Sequence, residues 1–281
     1  MISVYGASGF IGSNFCKLYP SESISIPKED ITSKSDDILY FISTTDNYNV
    51  YDDPYIDINT NLIKLIEVLE NYRKSGRKGI FNFVSSWFVY GKSIDILGRS
   101  AHESTPCNPT GFYSITKYAA EKLLISYCQT YEIEYRIFRL TNIIGTGDQK
   151  VSKKKNALQY MINNLKNNLP IELYNNGKNI RDFMDITDCC RAIKICLDKS
   201  STKEIINISN SEPKTIGELI NYAKEKLNSN SNIVFIQTPE FHNIVQIKDM
   251  WLNNDKLLSY GYKPNMNTFQ SIDKIIKEFR D

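Results

Sequence analysis

Short apolar runs alternate with longer amphipathic segments through the first half of the chain. The runs predict strands over 2–5, 23–26, 38–42, 79–85 and 134–139. Apolar residues spaced three and four apart predict helices over 10–18, 62–76 and 113–131. Strands that alternate with helices are typical of right-handed βαβ units around a parallel sheet. The pattern therefore predicts a doubly wound α/β fold.

The second half of the chain has a different pattern. Residues 146–180 are polar and rich in lysine and asparagine, and apolar periodicity then predicts helices and strands in mixed order. The predicted helices are 157–165, 186–197, 216–227 and 269–279, and the predicted strands are 205–208 and 232–237. We expect one domain over 1–145, with a returning segment near 180–210, and a small mixed cap over 146–281.

Composition excludes several classes of protein. The 281 residues carry 34 Lys plus Arg against 32 Asp plus Glu, and this net charge of +2 gives no basic footprint for nucleic acid. The longest apolar runs have the length of 38–42, too short to span a membrane. A strand predicted at residue 2 leaves no room for a targeting peptide, so we expect a cytoplasmic protein without a membrane partner.

The cysteines and histidines of the sequence do not show the spacing of a metal site. The six cysteines include no Cys-x-x-Cys pair, and the chain has only two histidines. Zinc sites need closely spaced ligands of these types. We therefore expect no metal, and buried free thiols at the adjacent Cys189 and Cys190.

A glycine-rich turn joins the first predicted strand to the first helix. Gly6, Gly9 and Gly12 form the pattern G-x-x-G-x-x-G. Such glycines allow a tight turn and let backbone N–H groups approach a pyrophosphate at the helix N-terminus. The position favours a Rossmann domain that binds a dinucleotide, and the alternative is a turn that serves only close packing of helix and strand.

The segment after the second predicted strand bears on which dinucleotide is bound. Lys28 could meet a 2′-phosphate and favour NADP, whereas Glu29 could accept from a ribose hydroxyl and favour NAD. A solvated turn is the third interpretation. The choice between NAD and NADP stays open.

Tyr113 and Lys117 lie four residues apart on one face of the predicted helix 113–131. A nearby ammonium group would lower the pKa of the phenol and create a general acid/base for a carbonyl/alcohol couple. The same spacing recurs at three other tyrosines, so position decides. Ser86 ends a predicted parallel strand, where ligands bind, and its hydroxyl could bond the oxygen that Tyr113 protonates.

With these residues in place, the chain resembles the extended short-chain dehydrogenases/reductases, the NAD-dependent epimerase/dehydratase family that acts on nucleotide sugars. The resemblance runs nearly end to end. Its motifs are Gly6-Ala-Ser-Gly-Phe-Ile-Gly12, Ser85-Ser-Trp-Phe-Val-Tyr-Gly91, Tyr113-Ser-Ile-Thr-Lys117, Arg139-Leu-Thr-Asn-Ile-Ile-Gly-Thr-Gly147, Arg181-Asp-Phe-Met-Asp-Ile-Thr-Asp188 and Gly261-Tyr-Lys-Pro264.

The resemblance implies roles for individual residues. The implied catalytic residues are Ser86, Tyr113 and Lys117. The implied cofactor contacts are Tyr113, Lys117, Gly6, Ser8, Gly9, Phe10, Ile11, Gly12 and the Asp30-Ile31 pair beside the adenine, with Lys28 as the phosphate candidate named above. The implied substrate contacts are Ser86, Trp87, Asn142 and Arg181. Asn59 is implied as the family's helix asparagine, and a homodimer through the helix of Tyr113 is implied too.

Several of these roles have a structural alternative. Arg181 and Asn142 suit a sugar-nucleotide diphosphate, but Arg181 could instead pair with Asp182 or Asp185. Trp87 could line the sugar pocket or simply pack in the core. The lysine-rich loop 150–155 could cover the diphosphate or be a solvated run of charge.

Departures from the family narrow the expected reaction. Where the family's dehydratases carry an acid pair after the serine, this chain has Trp87 and Phe88. The epimerase-reductases that make fucose use a cysteine at the first of these positions and a later histidine, which the chain lacks between His102 and His242. We predict NAD(P)H-dependent reduction of the C4 ketone of a nucleotide-linked 4-keto-6-deoxy sugar. The alternatives are a 4-epimerase with tightly bound NAD and a non-catalytic dinucleotide-binding regulator.

Overall fold

A computed structural model describes residues 1–94, 98, 100–148, 151–152 and 154–279. The strands are β1 Ile2–Tyr5, β2 Ser23–Ser25, β3 Asp37–Tyr40, β4 Ile80–Ser86, β5 Glu134–Leu140, β6 Asn142–Ile144, β7 Ile171–Tyr174, β8 Ile180–Asp185, β9 Glu204–Ile208, β10 Pro213–Thr215 and β11 Ile233–Ile236. The helices are α1 Phe10–Leu18, α2 Asn49–Asp52, α3 Tyr55–Ile58, α4 Lys64–Lys74, α5 Phe112–Thr130, α6 Ala157–Lys166, α7 Ile186–Lys199, α8 Ile216–Leu227, α9 Glu240–Val245, α10 Asp255–Ser259 and α11 Thr268–Glu278. A π turn, Asn59–Ile63, joins α3 to α4, and 3₁₀ turns cover Trp87–Tyr90 and Asn175–Gly177.

Six parallel strands form the central sheet in the order β2-β1-β3-β4-β5-β9. The predicted doubly wound α/β fold is confirmed. Two smaller sheets, β10-β8-β6 and β11-β7, lie outside it. The strand β9 comes from the segment that we expected to return to the first domain, and it pairs with β5. The division into two domains near residue 145 stays a prediction.

Successive residues of the central strands face opposite layers of helices. Leu39 packs with Phe138 and Ile206 and with the cysteine-bearing face of α7. Its neighbour Ile38 packs on the other side with Phe83 and with side chains of α4 and α5. Because both faces are covered, these strands are apolar throughout, as buried parallel strands generally are. A separate apolar cluster lies under α6, α8 and α11.

The direction of the strand order reverses between β1 and β3. The loops that follow β1, β3, β4 and β5 all leave the same edge of the sheet, because the strands are parallel. In open α/β sheets ligands bind at such a switch point, beyond the carboxyl ends of the strands. This edge is where the predicted site residues should meet. Over the described ranges, no helix is long and apolar enough to cross a membrane.

Candidate active site

The glycine turn between β1 and α1 forms a narrow cradle. Gly6 has a positive φ of 77°, and a side chain on Gly12 would place its Cβ 2.4 Å from the Gly6 carbonyl oxygen. The Gly9 amide donates to that same oxygen at 3.0 Å, and helix α1 begins at Phe10. The turn therefore leads directly into a helix N-terminus, and close backbone approach leaves no room for a side chain at Gly12. Its shape fits the pyrophosphate of a dinucleotide.

The residues after β2 lie at the rim of the switch point. Lys28 is exposed, while Ile31 packs against the core and its carbonyl oxygen accepts from the Tyr5 hydroxyl at 2.9 Å. The Asp30 carboxylate accepts from the Thr32 amide at 2.7 Å and pairs with Lys34 at 3.2 Å. The hydrogen bond from Thr32 lowers the pKa of Asp30. An ionised Asp30 thus stands beside the place expected for the adenosine.

Ser86 and Tyr113 come together at the carboxyl edge of the sheet. Ser86 ends β4, and its Oγ accepts from the Phe88 amide at 3.3 Å. Tyr113 lies in the first turn of α5 and is 7% exposed. Burial raises the pKa of Tyr113, and hydrogen bonds with the Ser86 and Ser43 side chains offset part of that effect. The phenol is therefore protonated and within hydrogen-bond reach of the serine.

Lys117 lies one helical turn further along α5, and it is only 2% exposed. Its amine donates to the Val84 carbonyl oxygen at 2.9 Å and lies 4.3 Å from the ring centroid of Phe83. Burial lowers the pKa of Lys117 to about 7, against the opposing influence of Glu121. Our expectation that an ammonium group would lower the pKa of Tyr113 was wrong for this state, because burial disfavours charge on both groups.

A polar network missed at the sequence level surrounds this pair. Asn61 is buried, and its Oδ1 accepts from the Thr44 amide at 3.0 Å and from the Ser43 hydroxyl at 3.1 Å. Its Nδ2 donates to the Thr44 and Thr116 hydroxyls at 2.9 and 3.0 Å. Thr116 in turn donates to the Tyr113 carbonyl oxygen. The prediction for Asn59 was wrong, since that residue is exposed and Asn61 lies in the site.

The two aromatic residues after Ser86 have different surroundings. Trp87 is 3% exposed in a cluster with Val89, Tyr90 and other apolar residues, so core packing describes it better than the predicted substrate contact. Phe88 stacks on Trp87 with ring centroids 3.8 Å apart and meets Tyr113 edge-on at 5.7 Å. Phe88 is therefore the apolar neighbour of the phenol.

The side chains of Asn142 and Arg181 donate hydrogen bonds to backbone carbonyl oxygens of the protein itself. Asn142 accepts from the Trp87 indole at 3.2 Å and donates to the Asp182 carbonyl oxygen at 3.0 Å. The Arg181 guanidinium donates to the carbonyl oxygens of Ile247 and Lys248 at 2.8 and 2.7 Å. These contacts fix β8 against a segment distant in sequence. The predicted role of Asn142 and Arg181 as substrate contacts stays a prediction.

A surface groove of about 640 Å³ lies beside that segment. Amide side chains dominate its lining, together with His242, Phe235 and Lys248; the amides are Asn175, Asn176, Asn179, Gln237, Asn243 and Gln246. Amides can both donate and accept, which suits a polar ligand with mixed hydrogen-bonding groups. The lysine-rich loop 150–155 lies partly outside the described residues; within it, Lys154 pairs with Asp52 at 3.6 Å.

Comparisons with known proteins agree with this geometry. A family model for the NAD dependent epimerase/dehydratase family matches residues 29–209. A putative UDP-glucose 4-epimerase of Methanocaldococcus jannaschii is 25% identical over 228 residues, which cover 81% of this chain and 72% of that protein. A dTDP-4-dehydro-6-deoxyglucose reductase of Escherichia coli is 26% identical over 228 residues, covering 80% of this chain and 68% of that protein.

The fold has a close counterpart among solved structures. The UDP-glucose 4-epimerase of Thermotoga maritima, solved with UDP-glucose, superposes with a TM-score of 0.89 at 20% identity and covers 99% of this chain and 98% of that one. The predicted family, the enzyme class and a nicotinamide dinucleotide as cofactor are confirmed. The chemistry is NAD(P)-dependent modification of a sugar nucleotide. By its matched span and its fold, the chain belongs to the NAD dependent epimerase/dehydratase family.

Proposed function

We propose that this enzyme reduces the C4 ketone of a nucleotide-linked 4-keto-6-deoxy sugar. The observation that carries the proposal is the state of Tyr113, a buried, protonated phenol beside Ser86 and edge-on to the Phe88 ring. A protonated phenol is a general acid, and ketone reduction needs a general acid at the carbonyl oxygen.

The proposed chemistry assigns one task to each residue. Bound NAD(P)H supplies the hydride for C4. The Tyr113 hydroxyl donates its proton to the C4 oxygen as negative charge develops there, and the Ser86 hydroxyl bonds the same oxygen. Lys117 is anchored on the Val84 carbonyl oxygen one turn away, and its protonated form would stabilise the tyrosinate left behind until solvent returns a proton to Tyr113.

The apolar pair favours reduction over dehydration. Loss of water from a sugar is assisted by an acid that protonates the departing hydroxyl. The two residues directly after Ser86 are Trp87 and Phe88, and the Phe88 ring, stacked on Trp87, is the one that meets Tyr113. A 6-deoxy sugar would place a methyl group, rather than a hydroxyl, against such a surface.

We further propose that the nucleotide half of the substrate lies along the amide-lined groove, with Asn142 and Arg181 at its inner end. The contacts of Arg181 with the carbonyl oxygens of Ile247 and Lys248 support this placement, because they hold one wall of the groove. NAD and NADP are both retained as cofactors in the proposal, since Lys28 would favour the 2′-phosphate of NADP and Glu29 the ribose hydroxyl of NAD.

The proposed assembly is a cytoplasmic homodimer formed through α5. The exposed face of that helix carries Ile115 and Leu123, which are 48% and 42% exposed, and Ile63 beside it is 50% exposed. Apolar side chains grouped on an exposed helix face are typical of an interface. Light scattering after size-exclusion chromatography tests this, and replacing Ile115 and Leu123 by Glu should give monomers.

A 4-epimerase is the second candidate, and the relatives from Methanocaldococcus jannaschii and Thermotoga maritima favour it. An epimerase keeps its oxidised cofactor through turnover, whereas a reductase exchanges it in every cycle. Denaturing the purified enzyme and quantifying the released nucleotide separates the two. Stoichiometric NAD⁺ would overturn the reductase proposal.

The direct test supplies UDP-, dTDP-, CDP- and GDP-linked 4-keto-6-deoxy sugars with NADH or NADPH. We expect loss of nicotinamide absorbance with at least one pair, and no loss in the matched Tyr113→Phe variant. If the wild-type enzyme oxidises neither cofactor with any of these sugars, the proposed function is wrong.

A further inference from the structure

Four aromatic side chains join the loop after β3 to helix α9, and the proposed chemistry uses none of them. The Phe241 ring of α9 packs against Tyr48 and Tyr51, with ring centroids 5.0 and 4.7 Å apart. The Tyr48 hydroxyl hydrogen-bonds the Nδ1 atom of His242 at 2.8 Å. We call these four side chains the aromatic clasp. It connects two segments that lie almost 200 positions apart in the sequence.

The aromatic clasp lies on the way from the amide-lined groove to Tyr113. His242 is one of the residues that line the groove. Two residues further along the chain, the Ile244 carbonyl oxygen accepts from the Thr110 hydroxyl at 2.7 Å. Thr110 directly precedes the cap of α5, whose first turn carries Tyr113. Helix α9 therefore touches the groove with one residue and the start of the Tyr113 helix with another.

The bases of both clasp segments are anchored. At the start of α2, the Asn49 amide donates to the carboxylate of Asp57, which is 0% exposed. Beyond α9, the Met250 amide donates to the Ile180 carbonyl oxygen at 3.0 Å, and the Ile180 amide donates to Asp249 at 2.8 Å. These hydrogen bonds fix the ends from which the clasp segments extend.

The aromatic clasp itself is weakly held. Helix α2 has four residues and none of them is buried, and Val245 is the one buried residue of the six in α9. Tyr51 is 65% exposed and Ile244 is 51% exposed. Helices of this length are not stable by themselves, and segments with few buried side chains open locally at low free-energy cost. The first turn of α9 can therefore leave α2 while the anchored bases stay in place.

We propose that the aromatic clasp is a gate, which opens to admit the nucleotide sugar and closes over the passage between the groove and Tyr113. The proposal rests on the placement of the nucleotide in the groove given under the proposed function, and it holds for a reductase and for an epimerase alike. A gate that is mostly closed lowers the rate constant of association, because a ligand enters only during openings. Closure after entry keeps water from the Tyr113 hydroxyl.

The test measures association with UDP, dTDP, CDP and GDP by stopped-flow tryptophan fluorescence. Phe241→Ala removes both ring contacts of the clasp, and we expect association about tenfold faster than in the wild type. Tyr48→Phe keeps the ring and removes only the hydrogen bond with His242, and we expect association about threefold faster. The matched control is Tyr55→Ala, since Tyr55 is also 65% exposed and lies outside the clasp on α3. The control should associate at the wild-type rate.

A readout without ligand separates the gate from the chemistry. Hydrogen–deuterium exchange followed by mass spectrometry reports local opening of each segment. In Phe241→Ala, the amides of 48–52 and of 240–245 should exchange about tenfold faster, because both sides of the clasp open together. The anchored amides of 247–250 should exchange as in the wild type.

Faster association together with faster exchange on both sides of the clasp supports the proposal. Unchanged association with faster dissociation in Phe241→Ala overturns it, because the ring would then only contact the ligand. Exchange at the wild-type rate also overturns it, as does a wild-type enzyme that binds none of the four diphosphates. Tyr48→Phe decides the question if Phe241→Ala does not fold. Absence of ketone reduction with gated nucleotide binding would overturn the proposed function and leave the gate standing.

Discussion

Lys117 makes the stability of this protein depend on pH in a way that one substitution can expose. Its amine is 2% exposed, and burial lowers its pKa from 10.5 to about 7. At about 1.4 kcal/mol per pKa unit, the charged amine costs the folded state about 5 kcal/mol. Lys117→Met removes the amine and keeps an unbranched apolar side chain in the same space.

The sign follows from proton binding. Between about pH 7 and pH 10.5 the unfolded chain holds a proton on Lys117 that the folded protein has largely released. The stability of the wild type relative to Lys117→Met therefore rises with pH across that window, by about 1.4 kcal/mol per pH unit. The full penalty is present below pH 7. In the variant this penalty of about 5 kcal/mol is absent, but the Val84 carbonyl oxygen loses its donor, which costs about 2 kcal/mol. Below pH 7 the variant should therefore be about 3 kcal/mol more stable than the wild type.

Urea unfolding from pH 6 to pH 9.5, followed by tryptophan fluorescence without nucleotide, measures this difference. Lys122→Met on the same helix is the control for loss of a lysine at an exposed position. A stability difference that does not change with pH would refute the reasoning, whatever its absolute size, because only a displaced proton equilibrium produces the slope.

Three further predictions test other parts of the site. Tyr113→Phe should slow ketone reduction about 10²- to 10⁴-fold in an absorbance assay while calorimetry still detects nucleotide binding. Gly12→Ala should weaken NADH binding about tenfold in a fluorescence titration, since its Cβ would lie 2.4 Å from the Gly6 carbonyl oxygen. Glu121→Gln leaves Arg139 buried without its counter-charge and should cost about 3 kcal/mol in chemical denaturation.

The parts of the fold that depend on local pattern were predictable from the sequence. The central strands and the helices that follow them are set by apolar periodicity, and observed bounds differ from the expected ones by one or two residues, as in β2 and β3. The glycine turn was predictable because tight turns have few possible sequences. The strands β6, β7, β8 and β10 were missed, since their three to six residues carry too little periodicity to identify.

The site was predictable only where it follows from regular geometry. Ser86 ends a strand and Tyr113 begins a helix, so both could be placed. Asn61 could not, because the π turn Asn59–Ile63 changes the register between α3 and α4, and no residue pattern announces it. The contacts of Arg181 are with residues 66 and 67 positions away and depend on tertiary packing. Ser43 and Thr44, polar residues directly after an apolar run, were the available signal for the missed network.

The protonation of Tyr113 follows from the apolar surroundings of its phenol. Tyr113 is 7% exposed, and the Phe88 and Tyr113 rings meet edge to face with centroids 5.7 Å apart. Burial penalises a tyrosinate, and the pKa of Tyr113 is raised accordingly. An enzyme that starts from an alcohol must generate that tyrosinate before any bond to carbon changes, whereas one that starts from a ketone begins with the phenol intact. The resting form of this site is therefore the form that ketone reduction requires.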